Sequence, residues 1–349
     1  MDEAAEQIIL DFYRYPPVGD DDWRYLSQTA QVRMLEMQLL SKTVLLNMAE
    51  AENFEAAAEF LAASEYALTR GGKGLAEVEN ILRAQRAAVR ELFADLMLDK
   101  EIVKLFRTRD DFANLRLAVR RAVTKKALGL DYSNEGNMPA EAYEEAFREE
   151  NYSRFPNYMQ EAIERAVPAY YQNKDVRQID YAIDNVQAEY NLKKARQMKN
   201  IFLAGLFRIQ IDLTNIRTML RLKYAGVESR FLGDNIFLKG GYLELERLRR
   251  GLETGYEAMG QVFFVTPYYE AVEAGANWFA SDKSFLRIEQ RCEEHLTGFL
   301  KTTIQIVTGP QPIIAYLLMK ENEIRTVRLI LTSKKNALDK KLILDRLGS

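Results

Sequence analysis

The residues best equipped for chemistry in this chain form the run Asp110-Asp111-Phe112-Ala113-Asn114. Adjacent aspartates of this kind could hold magnesium against a diphosphate, with carboxylates projecting into one cavity and the metal bridging to phosphate oxygens. That chemistry needs a second acidic cluster on a facing helix, and none with suitable spacing is present. A helix cap is the role expected for Asp110 or Asp111. Cys292 and His295 lie three apart, too few ligands for zinc and without an orienting group for a nucleophile. Cys292 is expected as a small buried residue and His295 on a helix surface. Gly71-Gly72-Lys73-Gly74 and Lys239-Gly240-Gly241 lack the spacing of a phosphate loop and are read as turns. Asp20-Asp21-Asp22 is read as a solvated acidic patch. No catalytic, cofactor-binding or metal-ligating set is assigned.

A recurring polar signature is the stronger signal. Asn114-Leu115-Arg116, Asn215-Ile216-Arg217 and Glu323-Ile324-Arg325 each follow a long helical stretch. The arginines are separated by 101 and then 108 residues. Glu79, Asp180 and Ile288 (beside Glu289) each precede their arginine by 37. Two anchors at one internal distance, three times over, point to one supersecondary unit used three times. The six residues Asn114, Arg116, Asn215, Arg217, Glu323 and Arg325 are therefore candidates for a shared interface or for bracing between helices. In the bracing reading each guanidinium meets a helix end or a carboxylate of its own unit, such as Glu79 or Asp180.

The elements that position these residues read as helices. Sparse proline and clustered glycine suit a helical chain, and no alternating pattern bounded by turn pairs announces a sheet. Residues 1–24 form an N-terminal extension, with a short amphipathic turn expected around Ile8, Ile9, Phe12 and Tyr13. Unit 1 spans 25–137, with helices expected over 32–48, 54–68 and 75–106 and a following one bearing Arg116. Unit 2 spans 138–240, with helices over 140–148, 155–171 and 176–197 before the one bearing Arg217. Unit 3 spans 241–349. Its helices are expected over 243–252, 267–279 and 283–307, the last capped by Ser281-Asp282, then 313–331 after the break at Gly309-Pro310-Gln311-Pro312.

The chain has 349 residues, 48 basic and 51 acidic side chains and a net charge of −3, which offers no basic face for nucleic acid. One cysteine excludes an internal disulfide and suits a reducing compartment. The N-terminus lacks a secretory pattern, and no stretch approaches the roughly 18–20 apolar residues of a membrane span. The best candidate, residues 201–211, is interrupted by Arg208.

In this frame the chain resembles the C subunits of V/A-type (vacuolar/archaeal-type) rotary ATPases, a family related to the d subunit of the eukaryotic V-ATPase. The residues that carry the resemblance are Val32-Arg33-Met34-Leu35-Glu36, Arg109 to Arg116, Ile211 to Arg217, Phe237 to Gly241 and Ile314 to Arg328. The resemblance implies an all-α fold in which three pseudo-threefold-related helical units form a funnel-shaped body. It further implies a non-catalytic central-stalk subunit without cofactor. Such a subunit is a socket between the central shaft (the D and F subunits) and the membrane proteolipid ring, serving ATP-linked H+ or Na+ transport. It would be cytoplasmic, peripheral to the plasma membrane, and not self-associating. Other readings are an all-helical magnesium-dependent isoprenoid-type enzyme using Asp110 and Asp111, or a generic helical-repeat scaffold.

Overall fold

Helices begin where a short polar side chain can satisfy the free N–H groups of a first turn. Asn53 Oδ1 accepts from Ala56 N and Asn200 Oδ1 from Leu203 N, both at 2.9 Å, and Ser41 Oγ accepts from Val44 N at 3.3 Å. Other starts use proline, as the cap residue at Pro139 and Pro156 and at the first helical position at Pro310, where its missing N–H costs nothing. The computed structural model describes residues 14–67, 74–126, 131–229, 233, 235–282 and 284–348. The expected turn at residues 8–13 and most of the first glycine run lie outside them.

In chain order the helices are α1 (Leu26–Glu36), α2 (Lys42–Glu50), α3 (Phe54–Glu59), α4 (Leu75–Leu96), α5 (Lys100–Thr124), α6 (Ala140–Arg148), α7 (Asn157–Asn173), α8 (Arg177–Gln197) and α9 (Ile201–Tyr224). They continue as α10 (Leu245–Glu253), α11 (Tyr256–Val262), α12 (Tyr269–Asp282), α13 (Leu286–Lys301), α14 (Pro310–Lys335) and α15 (Lys340–Leu347). No strand occurs among the described residues, so the chain is all-α. Among them, no helix is long and apolar enough to cross a membrane.

The chain divides into two compact units. One comprises Asp99–Gly255, and its described helices are α5 to α10. Within it α5 packs on α6, α7 and α8, while α9 lies against α8 and α10. Phe112, Leu115, Tyr143, Met159, Ile179, Ile183 and Val186 meet in its core. Tyr143 and Phe155 approach to 5.4 Å between ring centroids, within the range of tilted aromatic pairs.

The other unit joins Tyr13–Leu98 to Tyr256–Ser349. Its axis is α14, which packs against α1, α2, α3, α4 and α13. Ile313, Ile314, Leu317, Ile324, Val327 and Leu331 of α14 are all buried. Residues 14–22 are fastened across this unit. The Tyr15 ring lies 5.1 Å from His295 and 6.2 Å from Phe299. Gln311 Nε2 donates to the Val18 and Asp20 carbonyls at 3.2 and 3.0 Å.

Several expected boundaries move for physical reasons. The segment expected as one helix over 75–106 breaks at Met97–Asp99. Extended backbone there lets Met97 bury completely and accept a hydrogen bond from the Tyr25 hydroxyl at 3.3 Å. The helix expected over 32–48 is interrupted before the Ser41 cap, and the one over 54–68 ends at Glu59. Ser281 and Asp282 close α12 rather than cap the following helix, which begins at Leu286. Asp110 and Asp111 are not helix caps, because both are buried inside α5. Asp21 is not merely solvated: its carboxylate accepts from Val307 N and Thr308 N at 2.8 and 3.2 Å. His295 is not a surface residue, since the Tyr15 and Tyr268 rings flank it at 5.1 and 4.9 Å. Burial and the nearby Arg14 charge push its pKa down to about 4. Cys292 is buried, as expected.

Candidate functional site

The recurring polar residues sit at three stations, one on each of α5, α9 and α14. At the first, Asp111 is fully buried. Its Oδ1 accepts from Asn137 N and Met138 N at 2.8 and 3.0 Å. Its Oδ2 accepts from Asn137 Nδ2 and the Tyr158 hydroxyl, both at 2.8 Å. Three residues along the same helix face, Asn114 accepts from Ser133 N at 2.8 Å and donates to Ser133 O at 2.7 Å. Together they hold the 133–138 loop that leads into α6. Burial beside the Asp111 charge pushes the Tyr143 and Tyr158 phenols well above their ordinary range, so both remain protonated donors.

The second station repeats this chemistry 101 residues later. Asp212, also fully buried, accepts from Tyr242 N and Leu243 N at 2.9 and 3.1 Å. Asn215 accepts from Leu238 N at 2.8 Å and donates to Leu238 O at 2.9 Å. The loop held here leads into α10. Gly136 and Gly241 occupy matching places, and a Cβ on either would overlap the carboxylate of Asp111 or Asp212. Close backbone approach therefore requires glycine at both.

At the third station the residue types change but the task does not. Lys320 and Glu323 replace the aspartate and asparagine. Glu323 accepts from Leu40 N at 2.5 Å, from the Tyr66 hydroxyl at 2.7 Å and from Lys320 Nζ at 2.5 Å. Lys320, only 2% exposed, also pairs with Glu65. Leu40 leads into α2. The buried carboxylate here carries its own counter-ion, which offsets the cost of desolvating it. Burial and Glu323 push the Tyr66 phenol far up.

The arginines pair differently from expectation. Arg116 pairs with Asp184 and, at 3.3 Å, with Asp180, while Arg120 also binds Asp180. Glu79 pairs at 3.0 Å with Arg328. Arg116 thus pairs with residues expected in unit 2, and Arg328 with a residue expected in unit 1, rather than within their own expected units. The 37-residue offset marks equivalent positions rather than contacts. Arg217 is half-buried on α9, and Arg325 is exposed on α14, one turn away from the pairing made by Arg328.

Every oxygen of Asp111 is occupied by an N–H or O–H donor, so this carboxylate is built to clamp backbone. The magnesium–diphosphate reading would require those oxygens to leave their buried donors. Among the described residues, no group of three His, Cys, Asp or Glu side chains is placed to hold a metal ion.

The family model for the ATP synthase (C/AC39) subunit matches residues 28–346. The chain belongs to this family. Its relatives include the C subunit of the V-type sodium ATPase of Enterococcus hirae, 22% identical over 306 residues, covering 87% of this chain and 92% of the relative. The C subunit of the A-type ATP synthase of Methanococcoides burtonii is 28% identical over 141 residues, 40% of this chain and 39% of that protein. That of Methanosarcina acetivorans is 28% identical over 158 residues, 44% and 42% of the two chains. The resemblance drawn from the V/A-type motifs is thereby established at the level of family.

All six sequence candidates lie on the three station helices of this family member. Asn114, Asn215 and Glu323 enter the clamps directly. Sequence reasoning missed Asp111 and Asp212 as their stronger halves, and Gly136 and Gly241 as the backbone they grip. The signal was available: an Asp-x-x-Asn pair recurring at the repeat distance, each followed within a few tens of residues by a glycine ahead of a helix start.

Proposed function

We propose that this chain is the central-stalk socket of a V/A-type ATPase. In this reading it is a non-catalytic component that receives the D and F subunits of the shaft and couples them to the proteolipid ring for ATP-linked H+ or Na+ transport. Family membership supports the assembly. The observation that carries the mechanical role is the clamp made three times. Each clamp ties one station helix to the start of another repeat, and the third returns to the N-terminal repeat at Leu40. Clamps of this kind stiffen each compact unit from within, as a part that passes torque requires.

In this reading the three units (25–137, 138–240 and 241–349) make up the pseudo-threefold funnel that the family resemblance implies. Asn114, Asn215, Glu323 and Arg116 brace it, whereas Arg217 and the exposed Arg325 are candidates to meet the shaft or ring. The protein sits at the cytoplasmic face of the plasma membrane, attached through the ring, and does not pair with itself.

The test is reconstitution. The D and F shaft subunits should bind purified proteolipid rings only when this chain is added. Equal binding of the shaft to rings without it would refute the socket role, and retention of this chain by neither partner would refute the assembly.

A further inference from the structure

The first station borders a cleft of about 560 Å³, and its Gly136, Asn137 and Tyr158 form part of the wall. It is lined by Lys104, Arg107 and Thr108 of α5, Tyr158 of α7, and Tyr190 and Lys194 of α8. Glu101, also on its wall, pairs with Lys104 at 2.7 Å. The lining therefore carries three cations against one carboxylate. Arg107 and Lys194 make no ion pair among the described residues, and Lys194 lies 5.7 Å above the Tyr190 ring. The Tyr190 hydroxyl has no hydrogen-bond partner among them either. Burial and the charges of Glu101 and Asp111 raise its pKa, so it stays a protonated donor.

The repeat shows what is unusual about Arg107. Its counterpart 101 residues later is Arg208. Arg208 is consumed internally: it donates to Gly241 O at 3.2 Å and lies 4.2 Å over the Tyr242 ring. In the first repeat Gly136 is kept, but Asn137 stands where Tyr242 would. Without a ring to cover it, the guanidinium turns to the cleft.

We propose that this cleft binds a phosphate group, either inorganic phosphate or the headgroup of an anionic phospholipid. A guanidinium fork, the Lys194 ammonium and a phenolic donor lining one cleft, with Lys104 beside its Glu101 partner, match the several acceptor oxygens and negative charge of phosphate.

The experiment uses the full chain and measures inorganic phosphate by equilibrium dialysis, alongside co-sedimentation with vesicles of phosphatidylcholine containing phosphatidic acid. Arg107→Ala and Lys194→Ala remove exposed or half-buried side chains outside the clamps. Lys193→Ala, on α8 but outside the cleft lining, is the control. The expected result is saturable binding at about one phosphate per chain with Kd on the order of 1 mM or tighter, weakened about tenfold or more by each cleft substitution. Binding of free phosphate assigns the site to a soluble ligand. Vesicle binding lost in the cleft variants, without free-phosphate binding, assigns it to a lipid headgroup. Equal weakening by Lys193→Ala, binding of a polyglutamate peptide in place of phosphate, or no binding of either probe would overturn the proposal.

Discussion

Replacing Asp111 by alanine removes the acceptor for two backbone N–H groups, an amide and a phenol, all at 2.8–3.0 Å. Each buried donor left unsatisfied costs about 1–3 kcal/mol. Relief from desolvating a carboxylate, and water entering the vacated space, offset part of that. The expected loss is about 3–5 kcal/mol, concentrated where the 133–138 loop meets α5. Asp111→Asn keeps one acceptor oxygen and should lose roughly half as much. The assay is urea unfolding with amide exchange read at Asn137 and Met138, because the two compact units need not melt together. Gly136→Ala supplies a second arm. Alone it is destabilising, because its Cβ overlaps the carboxylate. Combined with Asp111→Ala it should cost less than the sum, with coupling of about 1 kcal/mol or more. A loss below about 1 kcal/mol for Asp111→Ala, or full stability of Asp111→Asn, would refute the clamp.

Lys320→Met should destabilise by about 3 kcal/mol or more, because it leaves Glu323 charged and buried; Lys320→Met with Glu323→Gln should recover part of this in the same urea assay. Arg325→Glu, at an exposed position, should leave stability within about 0.5 kcal/mol but weaken shaft or ring capture at low salt, and unchanged capture would remove Arg325 from the interface. His295 has its pKa held near 4, against 6.5 for the free side chain. The unfolded chain therefore takes up the proton first. The stability His295 supports is present above about pH 6.5 and is lost as pH falls toward about 4, by up to about 3 kcal/mol. His295→Gln should flatten this part of the stability–pH profile, and an identical profile in the variant would show that the histidine does not contribute.

The helical class was legible because it is a periodic signal. Apolar spacing marks helix faces, and Asn114, Asn215 and Glu323 recur at nearly constant intervals. The partners were not legible. Asp111 read as a cap because an aspartate near a helical stretch usually serves its own helix, whereas here it serves a loop some 25 residues later. The arginine pairs were expected within one unit, but Arg116 meets Asp180 and Asp184 and Arg328 meets Glu79 across the expected boundaries, a choice made by three-dimensional neighbourhood rather than spacing. Asp21 looked solvated for the same reason, since its donors at Val307 and Thr308 are remote in sequence.

The discontinuous compact unit has a consequence for how the protein is made. Residues 99–255 can collapse as soon as they leave the ribosome, because their core is local. The N-terminal helices have no such option. The apolar face of α4, with Val78, Leu82, Val89 and Phe93, packs on α14, which is translated more than two hundred residues later. During that interval the nascent chain carries an uncovered hydrophobic helix past a finished neighbour. The early segment is therefore the part of the molecule most open to aggregation during synthesis, and a circular permutant that places α14 ahead of α1 should shorten that exposure.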